Sequence, residues 1–249
     1  VDKQATFVDV NRLDSAAYSL QQAMKLEPTN RNNPMLLLNL GILQRQLRML
    51  DDAFISLTAA LALNPEPTLV LHNRASLLCD MNRYDEAMED YTSIIKIDPE
   101  NAEAYYRRGL IFLEANDKKS AEEDFVKCEV LDSTNLFAKL SKALQLKLKD
   151  DWEGAQKIYS DIIKTEDKKL NAYYLNRAEC YVNIDKYSLA ATDLMIVESA
   201  EKNNPYFYIL RGRVRLNQYD KFAANLDFQK AKQLGYDEEL ADKWISKAK

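Results

Sequence analysis

Small and large side chains recur along this chain at a fixed interval. Ala16, Ala53, Ala87, Ala121, Ala155, Ala190 and Ala224 are separated by 37, 34, 34, 34, 35 and 34 residues. Four residues after each stands a large side chain: Leu20, Leu57, Tyr91, Phe125, Tyr159, Leu194 or Phe228. Three further on stands Ala23, Ala60, Ile94, Cys128, Ile162, Val197 or Ala231. Steps of four and three return to one face of an α-helix, so each triplet predicts one apolar helical face. Twelve residues before the alanine lies a second small residue, Gly41, Ala75, Gly109, Ala143, Ala178 or Gly212, on a preceding helix. Small residues on consecutive helices let the backbones approach closely. The repeating unit predicted is therefore a helical hairpin, and a period of this length is the mark of a stacked-repeat architecture.

The helix breakers fall where this division needs them. Pro28, Pro65 and Pro99 stand where a second helix ends, and Pro34, Pro67 and Pro205 where the next unit begins. Asn11, Asn82 and Asn116 occupy the turn inside the hairpin, where a left-handed residue is often required and Asn tolerates it. The spacing of 37 reflects three extra polar residues, Arg31, Asn32 and Asn33, and the spacing of 35 one near Lys168–Lys169. Both insertions are placed in loops. The units run 1–30, with its first helix truncated, then 34–67, 68–101, 102–135, 136–170, 171–204 and 205–236, all within a single domain, 1–249. The segment 237–249 opens on Asp237 as a helix cap and carries Leu240, Ala241, Trp244, Ile245 and Ala248 on one stripe. It is read as the capping helix that covers the last apolar face, with Trp244 and Leu240 as anchors.

Composition narrows the class further. Five Gly and six Pro in 249 residues are too few for a many-stranded sandwich or barrel. No apolar stretch approaches the ~20 residues of a membrane helix. A net charge of -5, with no Lys/Arg run longer than a pair, argues against a nucleic-acid partner. Cys79, Cys128 and Cys180 are odd in number and widely spaced, which fits free thiols in a reducing compartment and makes the cytoplasm the default. The chain begins at Val1, so a removed leader or a preceding domain stays open.

At these residues the chain resembles the tetratricopeptide repeat family. The runs Asn101-Ala-Glu-Ala-Tyr-Tyr-Arg-Arg-Gly109 and Asp85-Glu-Ala-Met-Glu-Asp-Tyr91 are close to the family pattern. Lys139 departs from it in place of an opening aromatic, as do Ser133, Asp167, Lys202 and Tyr236 in place of a closing proline. The resemblance implies an all-α, right-handed α-solenoid of about seven helix-turn-helix repeats, with the first helix of each hairpin on the inner, concave face. It implies protein or peptide binding without catalysis. Two other classes stay open: a structural scaffold using outer or end surfaces, and the regulatory part of a longer enzyme.

Catalytic and cofactor chemistry find no support in the residues. His72, Ser76 and Cys79 share a helical face, but seven residues along a helix put His72 about 10 Å from Cys79, beyond a direct hydrogen bond. One His and three scattered Cys lack the paired spacing of a zinc site. The carboxylate pairs Asp51–Asp52 and Glu122–Glu123 sit at helix starts, where they complement the helix dipole, and there is no Gly-rich phosphate loop. Most of the 24 aromatic residues, including Tyr91, Tyr105, Phe125, Tyr159, Tyr174, Tyr208 and Phe228, hold core registers. The expectation is no enzyme, no cofactor and no metal; the oligomeric state is not legible.

Two constellations remain. Arg74, Arg108, Arg177 and Arg211 share one register, and 16 residues after each comes Asp90, Asp124, Asp193 or Asp227. Where the Arg is missing, so is the Asp: Leu40 faces Ser56, Lys142 faces Ile158 and Lys3 faces Ser19. The matched loss predicts a salt bridge inside four hairpins, because buried ions must be paired. The second constellation is a groove. Leu38 and Ile42, Tyr106 and Leu110, and Leu140 and Leu144 are i, i+4 pairs on first helices, accompanied by Asn39, His72, Asn73, Arg107, Ser141 and Asn176. These line the concave face or, alternatively, pack against the next unit. Asn amides offer a donor and an acceptor to an extended peptide. A further resemblance, to the chaperone-tail carboxylate clamp, is partial: Asn73 and Arg107 match, whereas Leu38, Ile42 and Glu103 stand where Lys, Asn and Lys are required. The expected ligand is an internal or apolar segment, with Arg107 available to one acidic residue.

Overall fold

A computed structural model describes residues 14–22, 25–26, 33–63, 67–167 and 170–248. Within them the fold is an all-α repeat solenoid. Contacts divide the chain into two compact units, Val1–Leu131 and Asp132–Lys249. In the first, a helical stretch α1 at 14–22 precedes three hairpins: α2 (Asn33–Gln46) with α3 (Leu50–Leu63), α4 (Thr68–Asp80) with α5 (Tyr84–Ile97), and α6 (Ala102–Glu114) with α7 (Lys118–Leu131). The second unit pairs α8 (Leu136–Leu148) with α9 (Trp152–Thr165), α10 (Asn171–Asn183) with α11 (Tyr187–Val197), and α12 (Pro205–Asn217) with α13 (Lys221–Gln233), and adds α14 (Glu238–Lys247). Asn11, Ala23, Pro28, Arg31, Asn32, Pro65, Lys168 and Lys169 lie outside the described residues. Asn33, expected in a loop, instead opens α2 directly before Pro34, whose missing N–H is harmless in a first turn.

The hairpins close on the triplet faces. From the second triplet to the seventh, every alanine, every large residue four on and every residue seven on is buried. Each buried Phe or Leu among them contributes ~1.5–3 kcal/mol of burial. Close approach of the paired helices explains the small residue on the first. At Gly109 an added Cβ would lie 2.5 Å from Cε1 of Phe125, closer than real packing allows.

The turns repeat with the same period. Arg48, Asn82, Asn116, Asp150, Asp185 and Tyr219 all have positive φ. The residue after each returns its N–H to the first helix, as Arg83 does to the Leu78 carbonyl and Asp117 to that of Phe112, both at 2.8 Å. This is the Schellman closure, whose left-handed residue costs little when it is Asn or Asp. Arg48 and Tyr219 hold the same conformation without that chemical excuse. Helix starts are capped by side-chain oxygens of Asn101, Asn135, Asp151, Asn204, Asp220 and Asp237.

Helix α14 lies against the last hairpin through Ala241, Trp244, Ile245 and Ala248. Trp244 stacks on Phe228 with centroids 5.7 Å apart, and Ile245 and Ala248 join the cluster around Ile209 and Phe228. Leu240 does not anchor it: the side chain is 46% exposed. Its N–H is committed to the Asp237 cap in the first turn, and the apolar stripe begins one residue later.

Candidate functional site

The four Arg–Asp pairs are two-pronged. Nε and Nη2 of Arg74, Arg108, Arg177 and Arg211 donate to the two carboxylate oxygens of Asp90, Asp124, Asp193 and Asp227 at 2.6–3.0 Å. The Asp side chains are buried, and the hydrogen bond to Asp90 holds the Arg74 guanidinium above its ordinary pKa. In the α2–α3 hairpin, where Leu40 and Ser56 replace the pair, Ser56 donates to Gln44 at 2.7 Å. Three of these arginines also reach back to the preceding second helix: Arg108 to Thr92, Arg177 to Ser160 and Arg211 to Glu198. Thr58 occupies the Thr92 position in α3, yet its buried hydroxyl has no hydrogen-bond partner.

The first-helix face of the first unit is open. One hollow of about 320 Å³ is lined by Ile42, Arg45, Leu57, Asn73 and Asp80 among others. A second of about 280 Å³ includes Ser76, Cys79, Tyr91, Arg107, Leu110 and Glu114, and Arg45 and Asp80 line both. Arg45 Nε donates to Asp80 at 2.6 Å, joining α2 to α4. His72 Nε2 lies 3.3 Å from Glu103, joining α4 to α6, and Arg107 donates to the same carboxylate at 3.1 Å. Burial works to raise the Glu103 pKa, but the hydrogen bonds and charges of His72 and Arg107 prevail and hold it below its ordinary value. Cys79 is pushed up, first by burial and then by the neighbouring Asp80, which keeps it a thiol.

The sequence-derived groove residues divide. Ile42, Asn73, Arg107 and Leu110 line the hollows, His72 sits at the Glu103 junction, and Asn39 is exposed. Leu38 is buried in a cluster with Leu57, Val70 and Leu77, and Tyr106 turns toward Phe125, centroids 6.4 Å apart. An apolar pair on a helix flanked by its own partner and the next hairpin is covered by one of them. Asn73 Nδ2 donates to the Leu69 carbonyl at 2.8 Å, which commits one of its two N–H groups and leaves the carbonyl oxygen as an acceptor.

In the second unit the corresponding face is tied up. Lys147 on α8 donates to Asn176 at 2.9 Å and to Glu179 at 2.5 Å on α10. Asn183 accepts from Arg213 on α12 at 3.0 Å. The Asn176 Nδ2 is spent on the Ala172 carbonyl, so both ends of that amide are engaged. Burial, reinforced by Glu179, pushes the Tyr206 phenol well above its usual range. Leu140 is buried, Leu144 half-buried, and Ser141, in the register of Asn73 and Arg107, is fully buried with an unpartnered hydroxyl. Arg45, Asp80, Lys147, Glu179, Asn183 and Arg213 were not singled out from the sequence. Their separations of 35, 32 and 30 residues fall near one period, and that is the signal they leave.

Among the described residues no helix is long and apolar enough to cross a membrane, and no three His, Cys, Asp or Glu are placed to hold a metal ion. All three cysteines are free thiols.

Profiles described as TPR repeat and tetratricopeptide repeat match residues 75–115 and 102–135. No curated protein sequence matches the chain. Among solved structures it is similar to a tetratricopeptide repeat protein from Parabacteroides merdae, with 33% identity and a TM-score of 0.70 over 100% of this chain and 96% of that one. It is similar in fold to a chain of the APC/C hetero-tetramer Cut9–Hcn1, at 15% identity and a TM-score of 0.77, covering 96% of this chain and 46% of that one. MamA matches at 23% identity and a TM-score of 0.51, over 66% of this chain and 92% of that one. Repeats of this kind mediate protein–protein interaction and scaffolding, and the fold is typically non-catalytic. The repeat period, the helical hairpins and the similarity along the whole chain converge: this chain belongs to the tetratricopeptide repeat family.

Proposed function

We propose that the chain is a non-catalytic protein-binding module whose first unit holds a peptide segment of its partner along α2, α4 and α6. The observation that carries this reading is the pair of adjoining hollows sharing Arg45 and Asp80. Their floor is apolar at Ile42, Leu57, Leu110 and Ile111, and their rim offers the Asn73 acceptor, the Ser76 hydroxyl and the Arg107 guanidinium. Such a surface suits an apolar segment with one acidic residue set against Arg107. The three free thiols support a reducing compartment, and the cytoplasm is the site we assign.

The test is affinity capture from cell extract, read by mass spectrometry, with the wild-type chain beside Asn73→Ala/Arg107→Ala. Partners lost with the double variant and retained by a second-helix variant such as Glu122→Ala support the reading. Partners retained by the first and lost by the second would replace the groove with a scaffold that uses outer surfaces.

A further inference from the structure

Two positions around the hairpin arginines recur with the repeat, and the last hairpin fills both differently. Where Arg108 and Arg177 leave their hairpins they meet a hydroxyl of the preceding second helix, Thr92 or Ser160. Each also lies beside an aromatic ring one turn on, Phe112 or Tyr181. Around Arg211 both features change. Met195 replaces the hydroxyl residue, and Arg215 stands in the register that holds Gln44, Leu78, Phe112, Leu146 and Tyr181 elsewhere, the one charged residue among them. The result is an open hollow of about 170 Å³ between α11 and α12, lined by Ala191, Leu194, Met195, Glu198, Arg211 and Arg215 among others.

The chemistry of this hollow is specific. Asp227 serves two guanidiniums, accepting from Arg211 and from Arg215 Nη1 at 2.8 Å. Arg215 gives one further, long bond to the Ala223 carbonyl, and its Nε and Nη2 find no acceptor among the described residues. Its side chain is 33% exposed. Glu198, the remaining carboxylate, is engaged by Arg211. Met195, which lines the hollow, is 75% exposed, and the exposed face of α11 carries no charge between Lys186 and Glu198. Unaccepted guanidinium N–H groups call for an anion of planar, two-pronged geometry, and the apolar side chains beside them call for burial.

We propose that this hollow is a second docking site, on the outer side of the second unit, for a partner segment that presents a carboxylate next to an apolar side chain. The carboxylate sits on Arg215, and the apolar side chain covers Ala191 and Met195. Complementary charge selects the occupant: a basic or purely apolar segment would leave the Arg215 donors unpaired.

Random 12-residue peptides displayed on phage and selected on the full chain provide the test. The expected outcome is enrichment of sequences that pair Asp or Glu with Leu, Met or Phe. Fluorescein-labelled copies should bind Arg215→Leu at least about tenfold more weakly, as loss of a charged hydrogen bond dictates, and Asn73→Ala/Arg107→Ala normally. That last arm separates this site from the inner groove. Leucine is the residue of Leu78 and Leu146 at this position, so the variant keeps the core pattern; should it melt early, Met195→Glu, on an exposed side chain, sets a carboxylate beside Arg215 that repels the ligand's own and should weaken binding likewise. Absence of such a consensus, or peptides indifferent to both variants, overturns the proposal. So does binding of phosphatidylserine vesicles with the same Arg215 dependence and no selected peptide, which would make the surface a lipid contact.

Discussion

Arg45 and Lys147 occupy the same place in the repeat, three periods apart, and their fates differ. Arg45 pairs with Asp80 at the rim of the first unit, where both remain partly exposed. Lys147 reaches one turn further back along its neighbour to Glu179, and both are nearly buried. An exposed pair contributes ~0–1 kcal/mol and yields easily to a ligand. A buried one resists, because removing either partner strands a charge. The same backbone position thus leaves one face open for binding and closes the other, and the difference lies in the reach of one side chain.

The largest effect should be common to both units. Asp124→Ala in the first and Asp193→Ala in the second each remove one partner of a buried bridge and should cost ~3–5 kcal/mol in urea unfolding, while replacing Arg and Asp together by apolar residues should be nearly neutral. Unequal losses would show that the units differ in more than their first-helix faces. Deleting 237–249 should come next: it uncovers Phe228 and removes the Trp244 ring that lies 5.2 Å beneath Arg213. Light scattering should then report association, whereas a monomer with unchanged melting would remove α14 from the account.

Glu179→Ala, which strands Lys147, should destabilise the second unit by ~1–3 kcal/mol, and Asp80→Ala the first by less than ~1 kcal/mol. Equal values would erase the contrast. Asn73→Ala should weaken partner binding by ~0.5–1.5 kcal/mol, and Asn176→Ala should alter stability instead, since its oxygen serves Lys147. The smallest effect is a pH dependence. Glu103 is held below its ordinary value of 4.5, so its contribution is present above that pH and lost as pH falls through the lower folded value. The stability difference between wild type and Glu103→Gln should therefore hold near neutrality and shrink as pH is lowered below 4.5.

The hairpins were legible because their determinants are local. Spacings of three, four and twelve residues define each one, and Ala87 with Tyr91 and Ile94 needs no knowledge of distant chain. The left-handed turns at Asn82 and Asn116 were legible from residue type. Arg48 and Tyr219 have no such preference, and only the period locates them. What escaped depends on how neighbouring first helices cross. Arg45 with Asp80 and Lys147 with Glu179 differ by one helical turn in partner choice, and no single-helix pattern encodes that. Leu38 and Ile42 look alike in sequence, yet the neighbouring hairpin covers the first and leaves the second lining a hollow.

The unpartnered hydroxyl of Thr58 bears on how the molecule comes apart. In the first unit, Arg108 links the α6–α7 hairpin to the second helix before it through Thr92. Arg74 makes no such bond to Thr58. In a linear array, cooperativity is the sum of these nearest-neighbour couplings. The seam between α3 and α4 thus lacks the arginine–hydroxyl bond that crosses the seam between α5 and α6, and Arg83 lying 4.2 Å over the Phe54 ring holds it instead; hydrogen exchange should show the difference as faster exchange of amide protons in α3 than in α5.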